Sequence, residues 1–267
     1  MDSADITSDR EHRALVAATS LIGEADRIAF LTGAGISTSA GIPDFRGPQG
    51  VWTLDPAAEA ASTLSRYLGE SEVRRAAWQL RQAEGLWGAE PTPAHRAIAA
   101  AEKAGRVTGI ITQNTDGLHQ VAGNSDGLVH EVHGNARITR CERCGAEQET
   151  WDVITRVRAG DLDPHCRETI EDHDCGGILR ATTILFEEPL RPEVMDAAAT
   201  AVEDADVLVT VGTLLSVFPV AGLVPFAIAN GKPVVILNRD ETQYDDFVQA
   251  AVHRDVQEVV PALLGLG

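Results

Sequence analysis

Residues 28 to 47 read IAFLTGAGISTSAGIPDFRG, and this stretch decides the architecture. Ile28 to Thr32 is a short apolar, β-branched run of the length of one buried strand. Gly33-Ala34-Gly35 follows at once, so the strand ends in a turn without side-chain bulk, where a phosphate can approach the backbone. An ordinary dinucleotide fingerprint has a third glycine and then a long helix packed back on the sheet. Here Ile36 to Ala40 has room for little more than one helical turn before Gly41 and Pro43 stop it. The chain therefore leaves the turn as a loop, Gly41 to Gly47, that carries Asp44, Phe45 and Arg46 and is placed to cover a ligand's reactive end.

Three further apolar runs have the same character: Val107 to Thr112, Val207 to Val211 and Val234 to Leu237. Helical spacing over residues 14–25, 93–104, 193–204 and 256–264 alternates with them, the pattern of a parallel sheet with helices on both faces. Residues 1 to 12 read as a polar lead-in, and Leu128 to His133 as one more strand. The Ala-rich stretch from Pro56 to about Gln82 is helical, with Leu64, Leu68, Val73, Ala77 and Leu80 as its core positions. His95 reads as a surface or capping histidine.

At 267 residues, 44 % hydrophobic and 23 % charged, the chain suits one large domain, or one domain with a smaller insert. Its net charge of −18 argues against binding nucleic acid, which needs clustered Lys and Arg, and favours partners that present lysines. The N-terminus lacks the basic start and apolar core of a signal peptide, and no stretch approaches the roughly 18 uninterrupted apolar residues of a membrane span. The expected compartment is the cytoplasm, with no membrane partner, and there four cysteines read as metal ligands or free thiols.

Polar residues follow the strands where α/β sheets bind ligands: Gln113-Asn114-Thr115-Asp116-Gly117-Leu118-His119 after the second run, and Gly212-Thr213-Leu214-Leu215-Ser216 after the third. His133-Gly134-Asn135 lies between them in the chain. Cys141-x2-Cys144, followed by Cys166 and Cys175, has the spacing of a zinc ribbon, although the second pair is C-x8-C and has His165 and His173 nearby. Replacement of one cysteine by His173, and four unliganded thiols, are the alternatives.

Together, GAGIS…AGIPDFRG, TQN-x-DGLH, HG, the cysteine set and GT-x-L-x-V-x-P resemble, in order, the signatures of the sirtuins, the NAD-dependent protein deacylases. The resemblance covers about Ile28 to Leu264. It implies a Rossmann-like domain from residues 1–48, 90–138 and 180–267, with a small domain made of a helical module at 49–89 and a zinc ribbon at 139–179. It implies NAD as co-substrate, one structural Zn2+ held by Cys141, Cys144, Cys166 and Cys175, and an acylated protein lysine as partner. His133 would be the general base, since an imidazole titrates near about 6.5. Asn114 would order the nicotinamide ribose and Asp116 would contact the nicotinamide amide. Cofactor contacts would come from Gly33, Ala34, Gly35, Ser37, Ile42, Asp44, Phe45, Arg46, Gln113, Gly212, Thr213, Asn238 and Val256. The acyl-lysine would meet Phe186 and Glu187, the peptide adding as a strand.

The products implied are nicotinamide, O-acyl-ADP-ribose and free lysine, with acetyl as the expected acyl group. Departures from the family pattern are Thr115 in place of an aliphatic residue, Glu187 for glycine, Leu214 for serine and Arg254 for glycine. Glu187 and Leu214 bear on two alternatives, ADP-ribosyl transfer or acyl-independent NAD cleavage; a silent NAD-sensing module is a third reading.

Overall fold

The run at residues 28–32 forms the central strand β1 (Ile28–Thr32), buried at every position. The fold comes from a computed structural model that describes residues 3–44, 62–82 and 84–265. Alongside β1 lie β2 (Val107–Thr112), β3 (Val129–Glu131), β4 (Val207–Val211), β5 (Val234–Leu237) and β6 (Ala250–Val252). All pairings are parallel, in the order β6-β5-β4-β1-β2-β3, with Phe30 level with both Ile110 and Val209.

Because side chains alternate along a strand, β1 feeds two cores. Ile28 and Phe30 face α1 (Ser3–Glu24), α3 (Pro93–Lys103) and α7 (Val256–Leu263), meeting Ile22, Ile98 and Val260. Ala29 and Leu31 face α5 (Pro192–Asp204) and α6 (Leu223–Ala229), meeting Val202 and Val224. A strand covered on both faces must be apolar throughout, which is why these runs do not alternate with polar residues. Removing a ring such as that of Phe30, 1 % exposed, costs roughly 3–5 kcal/mol in transfer and cavity terms.

The smaller part has its own order. Ile138–Cys141 pairs antiparallel with both Glu147–Glu149 and Leu179–Ala181. Trp78, on α2 (Ser71–Arg81), is buried with Val153 and Val157 of α4 (Thr150–Arg158), Leu179 and three of the cysteines. Arg74 of α2 grips Asp163 through two hydrogen bonds of 2.8 and 2.7 Å, so the helical stretch and the ribbon segment share one core and a bidentate ion pair.

Three expectations are corrected, and of the two readings of His95 the capping one holds. Helix α1 begins at Ser3, so most of the lead-in is helical. The strand expected at 128–133 is only Val129–Glu131, because the chain turns at Val132 and His133, closed by the Gly134 amide on Glu131 O. Leu68 and Leu80 are 36 % and 44 % exposed; Tyr67 and Trp78 take the core positions. On α2 the buried face runs through Val73, Arg74, Ala77 and Trp78, and Leu80 falls at the margin of that face, beside Val73. His95 is fully buried, and caps α3 by accepting from the Thr92 amide. The end of the loop expected at 41–47, from residue 45, and the start of the helical stretch at 56–61 lie outside the described residues.

Candidate active site

The chain runs from β1 to β2 on one side, and β4 packs on the other, so the ends of β1 and β4 form the point where the strand order reverses. Open parallel sheets bind ligands at such a point. Two short 3-10 turns, Ala34–Ile36 and Thr38–Ala40, follow β1, and Gly41 closes them at φ 83°. The amides of Gly33 and Gly35 do not point outward as a phosphate grip: they donate to Val211 O at 3.0 Å and Gly212 O at 2.8 Å. A Cβ on Gly35 would lie 2.8 Å from Gly212 Cα, and one on Gly33 would lie 2.7 Å from Thr213 Cβ. The glycines let two loops pack backbone against backbone.

Around this seam lies a buried polar network. Asn114 Nδ2 donates to Gly33 O at 3.1 Å and to Ser37 Oγ at 3.0 Å, and Ser37 Oγ donates to Asp116 Oδ2 at 2.7 Å. Asp116 Oδ1 accepts from the Leu118 amide at 2.9 Å. Burial pushes the Asp116 carboxyl up from the usual range, against the opposing pull of the hydrogen bonds from Leu118 and Ser37. Gln113 Nε2 reaches Thr213 Oγ1 at 2.9 Å, linking the ends of β2 and β4.

His133 is anchored beside this network through Nδ1, 3.0 Å from the Gln113 carbonyl. A carbonyl only accepts, so Nδ1 carries the proton and Nε2 is the basic nitrogen. The turn holding His133 rests on residues 182–184: the Ile184 amide donates to His133 O at 2.8 Å and Thr182 Oγ1 to Asn135 O at 2.9 Å. That segment continues into Phe186 and Glu187, both exposed. Phe186 forms an isolated parallel bridge with Thr63. Glu187 has φ 78°, the left-handed region in which glycine is at ease, and its carboxylate accepts from the Ser65 amide at 3.0 Å.

Of the other residues singled out, Ile42 and Asp44 are half-buried on the exit from the turns, whereas Phe45 and Arg46 lie outside the described residues. Asn238 and Val256 are buried at the ends of β5 and the start of α7, on the far side of β4 from β2.

Reading the sequence missed the supports behind these groups. His119 Nε2 is 3.0 Å from Thr32 Oγ1, and its ring meets that of His95 edge-on at 4.8 Å. Thr92 Oγ1, 2.8 Å from His95 Nδ1, donates to Ile36 O at 3.1 Å. Burial drives both imidazoles toward the neutral form, His95 down to about 2 and His119 to about 4. Arg180, 3 % exposed, binds Glu188 in a fork at 2.8 and 2.9 Å. The DGLH run contained His119; nothing in the residue spacing marked Arg180.

The four cysteine sulfurs lie within 4.8 Å of one another, with Cys141–Cys175 at 3.6 Å and Cys144–Cys166 at 3.7 Å. A tetrahedral zinc with arms of about 2.3 Å has edges of about 3.8 Å, and a disulfide needs about 2.05 Å. The donor set fits zinc. His165 and His173 stand outside it, each with Nδ1 at a backbone carbonyl, Gly176 O and Glu171 O.

A model of the Sir2 family matches residues 33–219. The chain belongs to the Sir2 family. It is 44 % identical over 241 residues to the NAD-dependent protein deacetylase 2 of Streptomyces coelicolor, covering 90 % of this chain and 98 % of that one. Among solved Sir2 structures, a variant with a deacetylated p53 peptide and 3'-O-acetyl ADP ribose superposes with TM-score 0.81 at 30 % identity, covering 93 % of this chain and 96 % of that one. Sir2Tm bound to a propionylated peptide gives 0.78 at 29 % identity, covering 93 % and 97 %. The sirtuin resemblance of the motifs and the parallel-sheet fold therefore stand together in one Sir2 chain.

Proposed function

We propose that this chain removes acyl groups, acetyl foremost, from protein lysines in an NAD-dependent reaction that yields nicotinamide, O-acyl-ADP-ribose and free lysine. The observation that carries the reading is the gathering of Asn114 and Asp116, linked through Ser37, with His133, anchored on the carbonyl of the neighbouring Gln113, at the switch point of a Sir2 sheet. NAD, when bound, supplies an activated ribose carbon with nicotinamide as the leaving group.

The chain's residues divide the work. His133, oriented by the Gln113 carbonyl, takes a ribose hydroxyl proton at Nε2. Asn114 fixes the Gly33–Ser37 turn from below and orders the ribose, and Asp116 presents its carboxylate to the nicotinamide amide. Ile42, Asp44, Phe45, Arg46 and Ala34 close over that end. Gly33, Gly35, Ser37, Gln113, Gly212 and Thr213 flank the phosphates and ribose, and Asn238 and Val256 hold the adenosine end. Phe186 and Glu187 face the acyl-lysine, and the peptide adds beside their loop as a strand. Exclusion of water by closure protects the activated ribose.

In this reading residues 1–48, 90–138 and 180–267 form the nucleotide-binding body, and 49–89 with 139–179 the smaller module, whose shared core around Trp78 supports the division. One Zn2+ on Cys141, Cys144, Cys166 and Cys175 has no open coordination position and stabilises that module without taking part in the chemistry. Cytoplasmic location belongs to the same reading, supported by four cysteines gathered as ligands and not paired as disulfides, the usage favoured in a reducing compartment.

The test is nicotinamide release from NAD with an acetyl-lysine peptide, beside a no-peptide control. Release that depends on peptide supports deacylation. Equal release without peptide replaces it with NAD hydrolysis or ADP-ribosyl transfer, and no release with any acyl chain replaces it with a sensing role.

A further inference from the structure

Arg137 stands where three segments meet. Its Nε donates to the main-chain carbonyl of Asp116 at 2.5 Å, and its Nη2 donates to Leu86 O at 3.2 Å. Its own carbonyl accepts from the Thr150 amide, the first residue of α4, at 2.7 Å. One guanidinium thus joins the loop after β2 to the helical insertion, while its backbone joins the ribbon helix.

The aliphatic part of Arg137 is fitted to this place. Gly117, at φ 69°, lies directly beneath it, and a Cβ there would come within 2.9 Å of Arg137 Cδ. Asn135 Oδ1 accepts from the Arg137 amide at 2.7 Å, and the neighbouring Ala136 amide donates to Thr115 O at 2.8 Å. The segment after His133 is in this way zipped to the segment that carries Asp116.

Beyond the guanidinium runs an aromatic ladder. The Arg137 guanidinium lies 5.9 Å from the ring centre of Trp87, Trp87 lies 5.4 Å from Trp151, and Arg158 covers Trp151 at 4.9 Å. Trp87 belongs to the helical insertion; Trp151 and Arg158 belong to α4 of the ribbon. The Trp87 indole Nε1 is fixed to Arg81 O at 2.6 Å. Cation–π contacts of this kind hold Arg more than Lys, because the planar guanidinium stacks.

We propose that Arg137 is a positioning residue that sets Asp116 relative to the two insertions, so that the fit of the nicotinamide end of NAD depends on how the insertions dock. The proposal rests on the reading of Asp116 as the nicotinamide contact. Asp116 has its carboxylate held by Ser37 and Leu118 and its carbonyl by Arg137, so loss of Arg137 releases the main chain while leaving the side-chain contacts in place.

The experiment compares Arg137→Met, Arg137→Lys, Trp87→Leu and Asp116→Asn with the parent protein, measuring KM for NAD, KM for an acetyl-lysine peptide, and the nicotinamide concentration that halves turnover. Arg137→Met is expected to raise KM for NAD and the half-inhibiting nicotinamide concentration together by about tenfold, since small misplacements in a site cost one to two orders of magnitude. The peptide KM should stay within about twofold, because the main chain that Arg137 holds lies at the nicotinamide end. Arg137→Lys keeps the charge without the fork and should shift both in the same direction by about threefold, so it carries the test if the methionine variant fails to fold. Trp87→Leu, which removes the ring beneath the guanidinium and leaves Asp116 itself untouched, should follow Arg137→Lys.

Unchanged NAD and nicotinamide values in both Arg137 variants, or a peptide KM that rises equally, overturns the proposal. Asp116→Asn separates the causes. If it moves both quantities and the Arg137 variants move neither, only the role of Arg137 falls; if it moves neither, the assignment of Asp116 falls and takes the proposal with it.

Discussion

Nδ1 of His133 is anchored 3.0 Å from the main-chain carbonyl of Gln113, and Gln113 in turn holds Thr213 through its side chain. The tautomer of the base and the link between the ends of β2 and β4 are set by one residue. His133→Ala is therefore expected to lower turnover by about 10²–10⁴-fold, the usual range for a positioned proton acceptor, with binding of NAD changed far less. Nicotinamide and O-acetyl-ADP-ribose formation, with NAD affinity from calorimetry, checks both halves. Loss of binding in proportion to turnover would make His133 structural.

The loop that carries Phe186 and Glu187 is held from below by Arg180 and Glu188. Glu188→Ala leaves a guanidinium, 3 % exposed, with Glu142 as its remaining carboxylate partner. A cost of about 3 kcal/mol is expected, at the low end for breaking a buried pair, with a raised KM for peptide and an unchanged KM for NAD. Glu187→Gly is expected to act oppositely on stability, because glycine accepts φ 78° without strain, and urea midpoints of the two variants give the comparison.

Cys166→Ser or Cys141→Ser should abolish binding of one zinc per chain, measured by elemental analysis, and unfold the ribbon before the sheet. Zinc binding and folding of such a module are coupled, and its core contains Trp78 next to the cysteines, so tryptophan emission should shift on chelation. A variant that still holds one equivalent of zinc would point to a ligand outside the four cysteines.

His95 and His119 tie stability to pH. Both are neutral in the folded protein down to about 2 and about 4, whereas in the unfolded chain each takes a proton below about 6.5. The unfolded state thus binds more protons in the window from about 6.5 down to 4 for His119, and further for His95, so stability falls as pH falls. Each histidine accounts for about 2 kcal/mol of loss between pH 7 and pH 5. His119→Gln should flatten the pH dependence of the urea midpoint by about that amount; an unchanged slope would mean the ring is charged in the fold.

The sheet was legible because its strands are covered on both faces. Continuous apolar runs at residues 28–32, 107–112, 207–211 and 234–237 have no other economical explanation, and the polar residues after them mark their ends. The cysteine quartet was legible for a chemical reason, since few other groups bind metal at that spacing. Helix phase in the Ala-rich stretch was not. Alanine contributes little to either face, so Tyr67 and Trp78 decide the packing, and leucines at 68 and 80 lie outward. Arg137 and Arg180 were invisible for a different reason: a single arginine in a sequence looks like any solvated charge until folding supplies the carbonyls and carboxylates that hold it.

The contact of Gly33 and Gly35 with Gly212 and Thr213 has a bearing on protein engineering. The two loops come from segments about 180 positions apart, yet neither leaves room for a methyl group on the other. Grafting a nucleotide loop from another scaffold at residues 33–37 alone would collide with its unchanged neighbour, so a swap must replace both halves at once. A library that randomises one loop while fixing the other samples mostly misfolded chains, and productive diversity lies in paired changes across the junction.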